Sequence, residues 1–462
     1  MAENSAVPVE LGTEKIGKLL KQYALPAIIA QTAASLYNMV DSIFIGQGVG
    51  PLAISGLAVT FPLMNLSTAF GTLVGAGAAT MLSVLLGQKN YKAANKVLGN
   101  VVSLNIIIGI VFMAISLIFI DPILYFFGAS ENTLPYAKEY MTIILIGNVI
   151  THLYFGLNAA MRSSGSPKKA MGLTIFTVIF NTILDPIFIF VLDMGIAGAA
   201  WATVISQTIA MIVVLHHFND KNKPFHFEKG ILRLDFRVAK DSLAIGMGPF
   251  LMNSAACLVT LFINQQLREY SGDLGIGAYG ICNRFVFMFM MICMGLNQGM
   301  QPIAGYNYGA RQYSRVKEVF WKTAKLATVM TTLCFAFGMF FPKAAVGIFT
   351  HDEELMNLAA KALRTMTIIF PIVGFQMIST NFFQSLGMVK KSVILSLSRQ
   401  ILFLLPLLYA LPTWYGADGV WMSFPISDAL ATILTIFMLG RLFKKFSMLK
   451  DGDDPSILGS QL

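Results

Sequence analysis

Two acidic side chains fall inside long apolar stretches of the sequence. Asp41 stands near the end of the apolar run that begins at Leu25, and Asp185 belongs to the motif NTILDP at 181–186. A carboxylate in the middle of a membrane helix costs about 2.5–3.5 kcal/mol on insertion scales, so such a group faces protein, water or an ion. From the helical rise, Asp41 lies roughly 7–8 Å and Asp185 roughly 10 Å from the outer end of its helix. We expect the two carboxylates at similar depth.

The neighbours of Asp185 add further oxygen ligands. Asn181 precedes Asp185 by four residues and therefore lies on the same helix face. Pro186 has no N–H, which leaves the carbonyl of Thr182 available. Carboxylate, amide and carbonyl oxygens suit a hard cation, while two neighbouring carboxylates also make a plausible proton carrier. The residues leave both ions open, and a purely structural use of Asp41 and Asp185 is the alternative.

The helix that carries Asp41 has two further features. Pro26 leaves the carbonyl of Gln22 without its helical donor, so we expect a bend or hinge there. Polar residues recur at spacings of three and four along one side, which is expected to face a cavity and line a substrate cleft. These residues are Gln31, Ser35, Asn38 and Ser42.

Three more charged residues lie within apolar stretches. Asp428 is about 18 Å from the outer end of the apolar stretch 416–443, the twelfth such stretch of the chain. Arg399 is about 12 Å from the inner end of the eleventh, 391–411. In a core of roughly 30 Å these depths coincide, which predicts a structural ion pair between the two. Arg284, about 13 Å below the outer face of the eighth span, could join the pair. If it faces the cleft unpaired, it would favour substrates with an anionic group.

Methionine is abundant, with 26 residues, and the eighth span concentrates it in FVFMFMMICM at 285–294. Soft side chains such as Met288 and Met291 suit promiscuous apolar ligands in a substrate cleft. Contact with lipid or with other helices is the commoner use of such residues.

The composition indicates an all-α polytopic membrane protein. Of the 462 residues 56% are hydrophobic and only 12% charged, whereas soluble proteins average about 25% charged. Apolar windows long enough to cross a bilayer predict twelve transmembrane helices, which fall near residues 19–46, 52–86, 97–120, 134–161, 168–192, 196–218, 241–267, 275–308, 316–341, 356–386, 391–411 and 416–443.

The two halves of the chain resemble each other. A shift of 222 residues aligns GQKNYKAANKV at 87–97 with GARQYSRVKEV at 309–319, and it aligns SGSPKK at 164–169 with LGMVKK at 386–391. Each half has an even number of spans, so both point the same way and are related by a pseudo-two-fold axis along the membrane normal. We predict four segments: a six-helix bundle at 1–218, a cytoplasmic linker at 219–240, a second six-helix bundle at 241–445 and a disordered cytoplasmic tail at 446–462.

Positive charge is distributed unevenly among the loops. The net charge is +9, which in a soluble protein would suggest nucleic acid. Here Lys and Arg concentrate in alternate loops, such as 89–96 and 311–325, and are rare in the others. The positive-inside rule then places the N- and C-termini in the cytoplasm, and we expect no nucleic-acid partner.

The chain resembles the MATE (multidrug and toxic compound extrusion) family, in its bacterial MepA- and DinF-like branch. The resemblance covers 15–445 and rests on the six-plus-six repeat, Pro26 with Asp41, the two basic loops and NTILDP. It implies a V-shaped pair of bundles around a central cleft. It also implies export of organic cations in exchange for sodium ions or protons, with no cofactor other than the coupling ion.

The resemblance also implies a cation site in the first bundle. It maps onto Asp41, Asn181 and Asp185, with weaker matches at Asn158 in the fourth span and Thr203 in the sixth. If the coupling ion is Na⁺, Asp41 and Asp185 are its metal ligands. Helix packing is an equally good interpretation of Asn158 and Thr203. In the second half Asn264 and Leu407 stand where acids would be needed, so coupling is expected in the first bundle only.

These observations favour a secondary active transporter in a bacterial cytoplasmic (inner) membrane, acting in multidrug efflux and antibiotic resistance. We expect a monomer whose partners are lipid and small amphipathic, cationic drugs or toxic metabolites. A flippase for a lipid-linked saccharide is the alternative, although it would need more cleft cations than Arg284 and Arg399. An enzyme is disfavoured because no nucleophile or metal spacing is found.

Overall fold

The computed structural model describes residues 10–221, 225–227, 230, 233–349 and 352–454. The side chains of a few helical residues in these ranges, Asn38 and Ser42 among them, lie outside the description. Within the described ranges the chain is helical and contains no strand. The predicted cleft residue Asn38 lies on the first long helix, and its side chain is outside the described part of the structure.

Six long helices form the first half of the fold. They are α1 (Ile16–Gly48), α2 (Pro51–Gly87), α3 (Tyr91–Ile118), α4 (Leu134–Ile146 and Asn148–Ser163, bent by 53°), α5 (Pro167–Val191) and α6 (Gly195–Asn219). Short helices, Glu10–Thr13 and Ile120–Phe126, precede α1 and follow α3.

Six more helices form the second half. They are α7 (Phe236–Gly272), α8 (Leu274–Gly309), α9 (Tyr313–Phe340), α10 (Glu353–Thr367 and Phe370–Ser385, bent by 55°), α11 (Val389–Tyr415) and α12 (Ala417–Ser447). A short helix, Pro342–Gly347, follows α9. Gly272, with φ 63°, interrupts the helical backbone between α7 and α8.

Local sequence signals explain where several helices begin. Pro51 and Pro167 stand at the first positions of α2 and α5, where the missing N–H costs nothing. Asn90 caps α3 by accepting from the Ala93 N–H at 3.2 Å, and Asp352 caps α10 by accepting from the Leu355 N–H at 2.8 Å.

The predicted twelve-helix membrane fold is confirmed. In the part of the chain the structure describes, nine helices and two bent pairs are long and apolar enough to cross a bilayer, and α1 adds a helix of 33 residues.

The chain divides into two compact units. Of the described residues, unit 1 contains 10–13 and 29–250, and unit 2 contains 14–28 and 251–454. The division falls inside α1 after Ile28 and inside α7 after Phe250, whereas the sequence-based boundary at 219–240 lies within unit 1. The first parts of α1 and α7 therefore pack with the helices of the other sequence half.

In unit 1, glycines bring α2 and α7 into backbone contact. A β-carbon built on Gly77 would overlap the carbonyl oxygen of Ser242, and one built on Gly246 would overlap the carbonyl oxygen of Leu73. Only glycine permits so close an approach at these two positions. The crossing fixes the beginning of α7 against α2.

Unit 2 contains the matching crossing between α1 and α8. A β-carbon on Gly295 would overlap Ile28, and one on Gly299 would overlap Ala24. Gly299 corresponds to Gly77 at the 222-residue shift, so the sequence repeat is also a repeat of helix contacts. The core of this unit includes Trp421, 1% exposed.

The end of α12 continues into an ordered segment. Gly452 N–H donates to the Arg311 carbonyl at 2.8 Å, and the Tyr313 hydroxyl donates to the Asp453 carbonyl at 2.8 Å. The prediction of a disordered tail is therefore wrong for residues 446–454, which dock on the loop after α8 because backbone and acidic groups find partners there. Residues 455–462 lie outside the described ranges.

Candidate functional site

Asp41 and Asp185 come together inside unit 1. Asp41 on α1 is 6% exposed and Asp185 on α5 is 0% exposed. The two carboxylates are close enough to interact electrostatically with each other, and both interact with the hydroxyls of Tyr37 and Tyr140. Neither acid is turned toward lipid. We call Asp41 and Asp185 with the polar residues around them the acidic site.

Asn181 holds Asp185 in place within the acidic site. With its amide oriented so that both ends are satisfied, the nitrogen lies 2.8 and 2.9 Å from the two Asp185 oxygens and donates to that carboxylate. The amide oxygen lies 2.9 Å from the Thr203 hydroxyl. The hydroxyls of Tyr37 and Thr203 are 3.1 Å apart. Thr203 therefore lies among the polar residues of the acidic site.

The local sequence explains why α5 presents these groups. Asn181 and Asp185 are four residues apart on one helix face. Directly after Pro186 the helix widens into a π-helical turn, Ile187–Val191. Proline removes the backbone donor that would continue the α-helical pattern, and π-turns occur frequently at functional sites.

One oxygen of Asp41 has no hydrogen-bond partner. Asp41 Oδ1 is buried and unpaired among the described residues, whereas Asp185 receives the Asn181 amide. A buried carboxylate oxygen without a partner is costly. Bound Na⁺ or a proton would remove that cost, and the surrounding carboxylate, amide and hydroxyl oxygens suit a hard monovalent cation. The residues present therefore fit the predicted coupling ion.

Tyr37 and Tyr140 were not predicted from the sequence. Tyr37 precedes Asp41 by four residues on the same face of α1, so a signal for it existed. Tyr140, 2% exposed, comes from the first part of α4. No spacing in the sequence connects it with α1 or α5, so only the folded chain shows its place.

Asn158 lies away from the acidic site. Its side-chain nitrogen donates to the carbonyl of Ala170 at 3.0 Å. Ala170 precedes Asp185 by 15 residues on α5, about 22 Å along the helix. Including Asn158 in the cation site was wrong, and its helix-packing alternative explains its burial: the amide joins α4 to α5 near their shared loop.

The structure places the remaining predicted residues as follows. Pro26 lies within α1, which is helical from Ile16 to Gly48, and Gln31 is partly buried on the same helix. On α8, Met288 is 59% exposed but Met291 is only 7% exposed, so Met291 is a packing residue and does not line an open surface.

The predicted ion pair is present in unit 2. Arg399 Nε donates to Asp428 Oδ1, joining α11 to α12. Arg284 does not join it: it is exposed on α8 and forms no ion pair with any residue the structure describes. Tyr279 is the α8 residue that interacts with Arg399. Arg284 lies on a different face of α8 and therefore does not reach the pair.

Together, the duplicated helical membrane fold and the buried acid pair define a class of polytopic membrane transporters. Known proteins then identify the family: the MatE family model matches residues 26–187 and 245–410. The chain belongs to the MatE family.

Several relatives share most of their length with this chain. It is 28% identical over 433 residues to "Multidrug export protein MepA" of Staphylococcus haemolyticus, covering 94% of this chain and 95% of that protein. It is 27% identical to the protein of the same name from Staphylococcus aureus (strain NCTC 8325), covering 91% and 94%.

Solved structures show the same fold. The MATE multidrug transporter DinF-BH, solved in complex with a ligand, is 36% identical, with a TM-score of 0.88, and the match covers 97% of this chain and 100% of that one. An outward-facing MATE family transporter matches with a TM-score of 0.89 at 23% identity, covering 97% and 100%. The second likeness supports the fold alone.

Proposed function

We propose that this protein is a cation-coupled antiporter that exports amphipathic, cationic drugs or toxic metabolites in exchange for Na⁺ or H⁺. The observation that carries the proposal is the burial of Asp41 beside Asp185, with one Asp41 oxygen unpaired among the described residues. Binding a cation there removes an unpaired negative charge from the interior of unit 1. The protein with a bound cation and the protein without one therefore differ in the energy of helix packing.

The electrochemical gradient of the coupling ion supplies the driving force. Each net positive charge that an exchange cycle carries inward across 100 mV is worth about 2.3 kcal/mol. At about 1.4 kcal/mol per decade this supports a gradient of roughly 40-fold. An exchange of one coupling cation for one monovalent cationic drug moves no net charge and is driven by the concentration gradient of the ion alone. Pro26 is proposed as the place where α1 responds, because it lies within one helical turn of the point where α1 passes from unit 2 to unit 1.

The relatives support drug export over lipid-linked saccharide flipping, since MepA is named as a multidrug export protein and the DinF-type relative as a multidrug transporter. We further propose a bacterial cytoplasmic membrane location and a monomeric transporter that needs no cofactor beyond the coupling ion.

The test is dye efflux from proteoliposomes that carry either a sodium or a pH gradient. We expect one gradient to drive ethidium transport in the wild type. Asp41→Asn and Asp185→Asn should each lower gradient-driven transport at least tenfold, because an amide binds neither ion as a carboxylate does. The matched control is Asp121→Asn, since the Asp121 side chain is 43% exposed and pairs with Lys138 at 2.9 Å. This variant should keep the wild-type rate.

The opposite result would refute the proposal. If both acid variants transport ethidium at the wild-type rate with the same gradient, the acidic site is not the coupling site. If neither gradient drives transport in the wild type, the protein is not a sodium- or proton-coupled antiporter.

A further inference from the structure

Arg399 and Asp428 lie deep in the membrane part of unit 2. Arg399 is ten residues from the start of α11 at Val389, about 15 Å along the helix. It belongs to a π-helical stretch, Ser398–Leu404. π-Helical stretches are rare compared with regular α-helix and are frequently found at functional sites. The depth places the guanidinium well away from lipid headgroups.

The two side chains of the ion pair differ strongly in solvent exposure. The Asp428 side chain is 2% exposed, whereas the Arg399 side chain is 28% exposed. Only Nε of Arg399 is hydrogen-bonded, to Asp428 Oδ1, and its two terminal nitrogens have no partner among the described residues. The accessible part of the pair is therefore an array of N–H donors, although the pair as a whole is neutral.

Apolar and aromatic side chains stand beside these donors. The Tyr279 ring is stacked on Phe424, with centroids 6.0 Å apart and planes at 23°, and Tyr279 interacts electrostatically with Arg399. Leu404, from the same π-helical stretch, packs in the same cluster. Next to Arg399, the buried side-chain oxygen of Gln400 has no partner in the described part of the chain.

We propose that Arg399 forms a recognition site in unit 2 for the carboxylate or sulfonate group of an amphipathic substrate. The free nitrogens of a guanidinium bind such a group with two parallel, charge-assisted hydrogen bonds. Phe424, which is partly exposed and stacks on the buried ring of Tyr279, supplies an apolar surface for the rest of the molecule. Asp428 neutralises and orients the guanidinium, which makes the site selective for amphipathic anionic groups over small free anions. The inference rests on the proposed export function and names a second substrate class, the zwitterions.

A structural ion pair is the competing explanation. Replacing a buried pair by apolar residues of similar volume is often neutral for stability, whereas removing one partner strands a charge. The test therefore uses the double variant Arg399→Leu with Asp428→Leu, together with Arg399→Lys. Lysine keeps the positive charge but lacks the planar fork.

The probes are rhodamine B, which carries a free carboxylate, and its ethyl ester, which shares the dye core but lacks that charge. Binding to purified protein in neutral detergent is followed by fluorescence anisotropy. For the double variant we expect the Kd of rhodamine B to rise at least tenfold and that of the ester to change less than threefold. Arg399→Lys should weaken rhodamine B binding to an intermediate extent.

Each outcome decides between the explanations. If both variants bind rhodamine B as the wild type does, or if the two dyes lose affinity equally, Arg399 does not recognise the carboxylate. If the wild type binds the ester but not rhodamine B, the carboxylate site is refuted while the proposed export function stands, because that function is tested separately by gradient-driven ethidium efflux. Repeating the wild-type titration in phosphatidylglycerol nanodiscs distinguishes a lipid phosphate as occupant, since the lipid would then compete with rhodamine B but not with the ester.

Discussion

At the scale of single residues, the two acids of the acidic site have different surroundings. Asp185 accepts from the Asn181 amide, and its position on α5 is fixed by that contact. Asp41 keeps one buried oxygen without a partner in the described chain. We infer that Asp185 with Asn181 forms the rigid side of the site, and that Asp41 is the group whose environment changes most when a cation binds.

Replacing Asn181 by Ala should weaken coupling by removing the donor that orients Asp185. We expect the cation concentration for half-maximal ethidium efflux to rise roughly 10- to 100-fold, because a hydrogen bond to a charged group is worth about 1.5–3 kcal/mol. Asn158→Ala is the matched control. Asn158 donates a hydrogen bond to the carbonyl of Ala170, and Ala170 lies on α5 about 22 Å from Asp185 along that helix. An equal effect of both substitutions would mean that Asn181 acts through folding.

Tyr37→Phe tests the hydroxyl that contacts Thr203 at 3.1 Å and interacts with both acids. The ring volume is kept and only the oxygen is lost, so the expected effect is smaller, about threefold to tenfold in cation affinity. It is measured in the same efflux assay. Tyr23→Phe is the control, because Tyr23 is a buried tyrosine of α1 that belongs to unit 2. Unchanged affinity in Tyr37→Phe would remove this hydroxyl from the site.

At the scale of helices, the glycine crossings set how α1 and α7 are held. Gly246 and Gly77 let α7 lie against the backbone of α2, and the first part of α7 consequently belongs to unit 1. Gly299 plays the same part for α1 in unit 2. The contacts of Ala24 with Gly299 and of Ile28 with Gly295 lie on either side of Pro26, so they hold the proline-containing part of α1 against α8.

Gly246→Val should destabilise unit 1. Its side chain would overlap the Leu73 carbonyl, so α2 and α7 must separate, and overpacking of this kind costs about 1–3 kcal/mol or more. Thermal unfolding in detergent should show a Tm lower by several degrees. The control is Gly172→Ala on α5, where nothing lies within 4 Å of an added β-carbon. That change should leave the Tm the same or raise it slightly. A wild-type Tm for Gly246→Val would show that the crossing is loose.

Hydropathy was sufficient to locate the helices but not their bends. The windows 134–161 and 356–386 each predicted one span, whereas α4 and α10 bend by 53° and 55°. A window of apolar residues predicts the length of a membrane span, whereas a bend in the helix depends on the residues of other helices that pack against it. At Gly147, where α4 bends, an added β-carbon would meet Val204 of α6 at close range. That contact joins residues 57 positions apart, which no local pattern reveals.

The acidic site was predictable to the extent that its residues share a helix or a family motif. Asn181 and Asp185 follow from their spacing of four, and Asp41 from the cost of a carboxylate in an apolar run. Asn158 was assigned by resemblance alone, and its amide is instead bonded to Ala170. Tyr140 was missed because its approach to the acids depends on how α4 packs in unit 1.

At the scale of the whole molecule, both ends of the described chain meet the first turn of α9, next to the loop between α8 and α9. Arg315 Nη2 donates to the carbonyl of Glu14 at 2.6 Å, just before α1, and Tyr313 donates to the carbonyl of Asp453 after α12. Both contacts lie in unit 2. The two ends are therefore on the same side of the membrane as the loop between α8 and α9, as an even number of spans requires.

The charge of that loop indicates which side it is. It begins a segment rich in Lys and Arg, 311–325, and such segments stay in the cytoplasm. We therefore predict that Ser447, exposed at the end of α12, is cytoplasmic, and that Ser130, exposed in the loop before α4, is external. Each is changed to Cys in a variant whose four native cysteines are replaced, and intact cells are treated with a membrane-impermeant maleimide.

Ser130→Cys should be labelled in intact cells, and Ser447→Cys only after permeabilisation. The cysteine-free parent should stay unlabelled in both conditions, which excludes labelling of other side chains. The reverse pattern would place both ends outside and turn the end of α1 that carries Asp41 toward the cytoplasm. The coupling ion would then have to enter from within, which is incompatible with import of Na⁺ or H⁺ driving export. The orientation of the chain thus decides whether the electrochemical gradient can do the work proposed for the acidic site.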